Sequence, residues 1–186
     1  RLLEVFSLLR EELPLGPGVF RGVYSFIDAF SGMPKSPEHF RALAEQGLRR
    51  VTIGLETGCD ALLRFLHKPA TAAETLDLVE RLRAAGVHVG IIVMLGIGGD
   101  RFAGRHVSET LAVIDAMRLG PEDLLYLSPL AADPDSPYRL QEREAGIQPL
   151  SEAETSAQLR ALQTGLRFDP RGRPKVAIYD IRDFVY

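Results

Sequence analysis

Cysteine occurs once in these 186 residues, at Cys59. One thiol excludes an intramolecular disulfide and cannot by itself hold an iron–sulfur cluster or a structural zinc, both of which take several protein ligands. A cysteine-poor chain fits a reducing compartment, so the expected localisation is cytoplasmic. His39, His67, His88 and His106 stand at no metal-ligand spacing, and no metal ligand is assigned. No serine lies in a nucleophile-elbow context, which leaves a hydrolase triad unsupported and the catalytic residues unassigned. Long apolar runs are lacking too. The longest, Val87–Ile97, is too short to span a bilayer and contains His88 and two glycines, so no membrane partner is expected. The net charge of −3 and a pI near 5.8 come with no large basic block, which argues against nucleic acid as a partner. No short repeat and no low-complexity linker interrupts the chain.

What is present is a globular chain, 46% hydrophobic, organised around Val51–Gly99. Two apolar runs, each ending in a polar or glycine-rich tip, flank an amphipathic helical segment. Continuous apolar runs of this length read as buried parallel strands, and strand–helix–strand is a βαβ crossover. Leu2, Leu3, Val5, Phe6, Leu8 and Leu9 give a helix closed by Pro14. Leu15–Gly18 reads as a turn, and Val23–Ile27 as a strand ending on Asp28, with Ser31-Gly32 in a loop. Ser36-Pro37-Glu38 opens a helix with Phe40, Leu43 and Ala44 inward, stopped by Gly47. Val51–Leu55 is the second strand. Asp60 is read as the cap of a short helix broken by Lys68-Pro69. Thr71–Glu74 is a capping box for a helix carrying Leu76, Val79 and Leu82. Val87–Leu95 is the third strand. A loop through Arg105 then leads to a helix with Val107, Leu111 and Ile114, ending near Gly120, and Leu124–Leu127 is the fourth strand. Beyond it lie a loop over Ala131–Pro137, a capping box at Ser151–Glu154 opening a helix to about Leu166, a turn at Arg171–Pro174 and a last strand at Val176–Tyr179.

Strand starts near 23, 51, 87 and 124 keep the spacing of repeated βα units. The expected class is α/β with at least four parallel strands. A whole or partial (β/α) TIM-like barrel leads, and a doubly wound open sheet is the alternative. Such units gather ligands at the carboxyl ends of their strands, so Asp28, Glu56, Gly96 and Ser128 should share one mouth. Asp28 and Glu56, on neighbouring strands, could bind one ligand such as a sugar diol, or could merely cap the next helices. Gly96-Ile97-Gly98-Gly99 gives close access to backbone amides but lacks the spacing of a dinucleotide fingerprint. Lys68 could hold a carboxylate or phosphate, or stand solvated as an ordinary surface lysine. Cys59 reads as a buried cysteine at a helix start.

The stretch G-L-E-T-G-C-D-A-L-L-R-F-L-H-K-P-A-T-A-A-E-T, from Gly54 to Thr75, resembles radical S-adenosylmethionine enzymes, many of which carry G-L-E/Q-S-G-S, a short helix and then a basic residue. The resemblance runs on through Leu82–Gly86 and Val93–Asp100, the latter similar to the family's fifth strand and its L-G-L-P-G-E loop. It covers most of residues 1–130, and is nearest in style to the branch with cobalamin-binding and coproporphyrinogen-oxidase-like members.

The resemblance implies that the four strands are strands three to six of a six-strand partial barrel. Residues 1–130 would be its cofactor-binding half, and 131–186 a C-terminal helical and strand extension packed on it. Glu56 would face the ribose or methionine part of S-adenosylmethionine, with Asp28 or Ser25 beside it and Lys68 at the methionine carboxylate. Met94 and Gly96 would pack on adenine, with Gly98, Gly99 and Asp100 forming the loop after the strand, and Tyr126–Ser128 would offer backbone to the adenine edge. The implied chemistry is a 5′-deoxyadenosyl radical acting on a small-molecule substrate. It requires S-adenosylmethionine, a 4Fe-4S cluster and an electron donor for the cluster. The C-x-x-x-C-x-x-C cluster loop and the family's first two strands do not occur in these residues. Asp100 stands where relatives carry Glu, and Pro69 where they carry Gly. With Arg1 already inside a helical pattern, the expectation is a piece of a longer chain, inactive alone, whose cluster ligands lie elsewhere. Two other readings stay open: a cluster-free phosphate- or nucleotide-binding (β/α) enzyme using Gly96–Gly99 and Lys68, or a non-catalytic barrel module.

Overall fold

The computed structural model describes residues 2–12, 22–32, 34–169 and 172–180. The Pro14 stop, the Leu15–Gly18 turn, the side chains of Leu2 and Leu9, and Arg171 lie outside the described residues. Five strands form one sheet: β1 (Val23–Ile27), β2 (Leu48–Glu56), β3 (His88–Leu95), β4 (Leu124–Pro129) and β5 (Lys175–Ile178). They are parallel throughout and stand in the order β1-β2-β3-β4-β5. A doubly wound sheet reverses its strand order at a switch point. This sheet progresses without reversal, as a barrel does, which fits the partial (β/α) barrel.

Parallel neighbours need a crossover, and the helices supply it. They are α1 (Leu2–Glu12), α2 (Ala29–Gly32), α3 (Pro37–Glu45), α4 (Asp60–Phe65), α5 (Ala72–Ala84), α6 (Gly99–Met117), α7 (Pro137–Glu144) and α8 (Glu152–Gly165). Every second strand residue faces them. Val51, Ile53 and Leu55, then Val89, Ile91, Val93 and Leu95, then Leu125 and Leu127 form the main core with Leu78, Val79 and Leu82 of α5. The other face is the inner wall of the partial barrel and carries Thr52, Gly54, Ile92, Met94, Tyr126 and Ser128. Its outermost members on β1, Tyr24 and Phe26, are exposed.

Local signals account for most of the boundaries. Ser36 caps α3 with Pro37 in the first turn, and Thr71 and Ser151 close capping boxes with Glu74 and Glu154. Four expectations need correction. Ser31-Gly32 lies in α2, closed by the Gly32 amide on the Asp28 carbonyl at 3.1 Å. Asp60 does not cap α4: Cys59 takes that place without a side-chain bond, and Asp60 accepts instead from the Ala72 amide at 2.9 Å, capping α5 from across the loop. The segment from Gly99 to Arg105 is the start of α6 rather than a loop; Val107 and Leu111 pack on the core beside Ile114 as expected, and the fully buried stripe adds His106, Thr110 and Met117. In α1, Phe6 is buried whereas Leu3, Val5 and Leu8 are exposed. One helix, α7, stands beyond those expected from the sequence. Its signal is Ser136-Pro137, the same cap-and-proline pair that marks α3.

Past residue 130 the chain adds α7, α8 and β5. The last of these continues the sheet alongside β4, while α8 packs on α6 and β3.

The bottom of the sheet hangs on a buried carboxylate. Asp123 Oδ1 accepts from the Val89 amide and Oδ2 from the Gly120 amide, both at 2.8 Å, which fixes the start of β3 against the entry to β4. Asp123→Ala strands two amides in a site with almost no solvent access, at a cost of about 2–4 kcal/mol. Urea denaturation should show that loss, and a midpoint within error of wild type would refute it.

Candidate functional site

β2 leaves the sheet in an unusual way. Its register against β3 slips between Gly54 and Glu56. The Thr57 amide then reaches back to the Leu55 carbonyl at 2.7 Å, closing a γ-turn centred on Glu56, whose φ is 61°. A positive φ at the centre of a γ-turn is the rare, strained form. Such strain of about 1–3 kcal/mol persists only where the surroundings impose it. The turn folds the Glu56 side chain back over Gly54: a Cβ there would lie 2.6 Å from Glu56 Oε1. Glycine at position 54 is therefore the floor on which the carboxylate rests.

Lys68 Nζ donates to the same Oε1 at 2.9 Å, forming a part-buried ion pair. Its main chain is held by the Lys68 amide on the Leu63 carbonyl at 2.9 Å. The preceding His67 has φ 54°, and its Nε2 lies 3.1 Å from Gln141 Nε2, which also donates to the Phe65 carbonyl at 2.7 Å. Lys68 thus stands between two cavities. One, of about 240 Å³, opens beside Asp28, Gly54 and Thr75. The other, of about 440 Å³, is lined by Glu56 and Lys68, by the apolar Met94, Ile97 and Leu66, and by Pro137, Tyr138 and Gln141 of α7.

The glycine-rich loop has its polar groups largely occupied. The Gly96 amide donates to Gln158 Oε1 at 2.7 Å and the Gly98 amide to the Tyr138 hydroxyl at 2.7 Å. Asp100 is clamped twice to Gln148, amide to carbonyl at 2.9 Å and carboxylate to amide at 3.0 Å. Tyr138 in turn donates to the buried Glu142, which also pairs with Arg139. Burial and then the Glu142 carboxylate push the Tyr138 hydroxyl pKa up, so it stays a phenol. Of the residues singled out from sequence, Glu56, Lys68 and Met94 share the 440 Å³ cavity, and Asp28 meets Lys68 in the 240 Å³ cavity. Gly96 opens on a third cavity, of about 370 Å³, beside Arg139 and Thr155. Gly98, Gly99, Asp100 and Ser128 line none of these three. Ser128 is buried on β4, in register with Met94.

The residues that sequence reasoning missed hold the Glu56 turn from behind. Thr57 Oγ1 lies 2.9 Å from His106 Nδ1 and accepts from the Cys59 amide at 3.0 Å. The Gly58 amide donates to Thr110 Oγ1 at 2.8 Å. A Cβ on Gly58 would sit 2.5 Å from the Glu109 carbonyl oxygen, so this loop lies directly on α6. Burial lowers the His106 pKa to about 4, which leaves the ring neutral.

A 4Fe-4S cluster does not fit these side chains. Among the described residues no three of His, Cys, Asp and Glu gather, and the one thiol is fully buried. A nucleoside with an amino-acid arm does fit the 440 Å³ cavity in kind, because its lining joins a carboxylate and an ammonium with several apolar side chains.

Fold and site together define a parallel (β/α) protein with cavities at the carboxyl ends of its strands. The family described as the Radical SAM superfamily matches residues 2–106, more than half of the chain. The protein belongs to that superfamily, whose members in general use S-adenosylmethionine and a 4Fe-4S cluster.

Solved structures share the fold. The archaeal Elp3 of Methanocaldococcus infernus with its N-terminus deleted superposes with a TM-score of 0.62 at 12% identity, covering 84% of this chain and 34% of that one. Methylornithine synthase, PylB, superposes with a TM-score of 0.59 at 16% identity, covering 90% of this chain and 44% of that one. The chain therefore spans about a third and under a half of these neighbours. No curated protein matches it. Among the described residues, no helix is long and apolar enough to cross a membrane.

Two stability measurements test this geometry. The unfolded His106 ring, at the ordinary 6.5, takes up its proton before the folded ring does at about 4. Its contribution is therefore complete above pH 6.5 and is lost as pH falls toward 4, by about 3 kcal/mol. His106→Asn should remove that part of the pH dependence of urea unfolding, and an unchanged slope would contradict it. At Glu56, Gly relieves the left-handed strain whereas Ala retains it. Glu56→Gly should be more stable than Glu56→Ala by about 1 kcal/mol, and the reverse order in thermal unfolding would rule the strained turn out.

Proposed function

We propose that this chain forms the S-adenosylmethionine-binding wall of a radical S-adenosylmethionine enzyme acting on a small-molecule substrate, with residues 1–130 as the cofactor half and 131–186 closing over it. The observation that carries this is the Glu56–Lys68 pair, held on a strained turn at the strand ends and lining a 440 Å³ cavity together with Met94. Each partner of the pair keeps free valences. Glu56 Oε2 can accept from a ribose hydroxyl or from the methionine ammonium, and the remaining Lys68 protons can take the methionine carboxylate. Met94 and Ile97 offer an apolar bed for adenine, and the Tyr138 ring closes the same space from α7. Asp28 stands one strand away as a further acceptor. Gly96, Gly98, Gly99 and Asp100 shape the wall behind Met94, and Ser128 supports it from β4.

When bound, S-adenosylmethionine supplies a C5′–S bond that a one-electron donor can break. The residues here orient it and exclude water, and a cluster with its electron donor would come from outside these residues. The phosphate-binding alternative gains no support, because the Gly96 and Gly98 amides it needs are bonded to Gln158 and Tyr138.

Isothermal titration of the intact protein with S-adenosylmethionine and with S-adenosylhomocysteine tests the reading. Wild type should bind, and Glu56→Gln and Lys68→Ala should each weaken binding by about tenfold or more, as loss of a charged hydrogen bond does. Absence of binding by wild type, or variants that bind like wild type, would overturn it.

A further inference from the structure

We propose that His106 is a positioning residue: through Thr57 it holds Glu56 in the strained turn that presents its carboxylate to the cavity and to Lys68. The proposal depends on the ligand reading only for what Glu56 binds, since the way Glu56 is held can be tested without any ligand.

Beyond the register slip Glu56 still pairs with Val93, but its φ of 61° lies outside strand geometry, so the regular ladder does not account for it. The turn is closed by the Thr57 amide on the Leu55 carbonyl. Whatever fixes Thr57 therefore fixes Glu56. Thr57 is fully buried, and its side chain meets α6 at His106. One helical turn further on, Thr110 takes the Gly58 amide. Positions 106 and 110 lie on one face of α6, so the helix grips the loop at two successive residues.

The two grips differ. Thr110 binds main chain that is already pressed against α6 at Gly58. His106 makes a side-chain bond to the one residue whose amide closes the turn.

His106 is a poor choice for packing alone. It is fully buried, and its Nε2 has no partner among the described residues. Thr57 Oγ1 also accepts from the Cys59 amide, and its bond to Nδ1 forms with either partner donating, according to the ring tautomer. A phenyl ring of similar size would carry neither the unpartnered buried Nε2 nor the desolvation of an imidazole. What the imidazole adds over such a ring is the bond to Thr57. Without that bond Thr57 is free to shift, the γ-turn can open, and Glu56 relaxes toward an extended φ, withdrawing its carboxylate from Gly54 and Lys68.

The test compares His106→Phe with His106→Asn, whose side-chain amide lies where Nδ1 lies. Amide exchange at Thr57 and the Lys68 Nζ chemical shift are followed by NMR, alongside the affinity for S-adenosylmethionine. In His106→Phe the overall fold should hold, while Thr57 exchange rises by at least about tenfold, the Lys68 signal moves toward that of a free lysine, and affinity falls by about tenfold. His106→Asn should restore all three toward wild type. Thr57→Val removes the same bond from the other side and should reproduce the His106→Phe changes, which keeps the proposal testable if the phenylalanine variant does not fold. Wild-type Thr57 exchange and an unmoved Lys68 signal in both bond-deleting variants would overturn it, as would an asparagine variant no better than the phenylalanine one. If wild type binds no S-adenosylmethionine, the cofactor reading fails, and the exchange and chemical-shift results still decide the role of His106.

Discussion

A strand that slips register and ends on a left-handed glutamate needs support from outside the sheet. Here α6 does the holding. Its body grips the loop after β2 through His106 and Thr110, and its first turn grows out of the glycine-rich loop that follows β3. The two neighbouring strand tips are therefore both tied to one helix. Their relative position rests on α6 and its seat against α5 and α8 as well as on the pairing of β2 with β3.

The segment after residue 130 completes the arrangement from the opposite side. Tyr138 takes the Gly98 amide, Gln148 takes both ends of Asp100, Gln158 takes the Gly96 amide, and Gln141 reaches the loop that carries Lys68. These bonds run from the C-terminal segment to the loop after β3, the first turn of α6 and the end of α4, so this segment shapes the mouth together with the strands. Glycines that look on paper like a ready anion cradle serve instead as the docking strip for α7 and α8.

Much of this was legible in the sequence where the signal is local. Cap pairs such as Ser36-Pro37 and Thr71–Glu74 located helices to within a residue, and continuous apolar runs located β1 to β4, because caps and burial act over a few neighbouring positions. Glu56, Lys68 and Met94 were identifiable from the motif order, and they do share a cavity. What escaped depends on distant partners. Asp60 reads as a cap for its own helix, yet it serves a different one, because the loop returns past it. The segment from Gly99 to Arg105 reads as a loop because of its glycines, yet it is helical because Gln148 anchors its first turn. His106 shows no metal spacing, and the periodicity of Val107, Leu111 and Ile114 passes it by; its bond to Thr57 becomes visible only once β2 and α6 are packed. The left-handed φ of Glu56 has no sequence signal at all, since glutamate is not a residue that favours it.

The bond from Asp60 to the first amide of α5 has a thermodynamic corollary for Lys68. Together with the Lys68 amide on Leu63 and the contact of His67 with Gln141, it pins the span between α4 and α5 at both ends and in the middle. A lysine normally surrenders about 2 kcal/mol of side-chain freedom when it is immobilised, and a loose loop would add its own ordering penalty on top. With the backbone already fixed and the ammonium already directed at Glu56, most of that disorder is lost on folding rather than on ligand capture. Association at this mouth should accordingly carry a small conformational-entropy penalty, the signature of a preorganised receptor rather than one that closes around its guest.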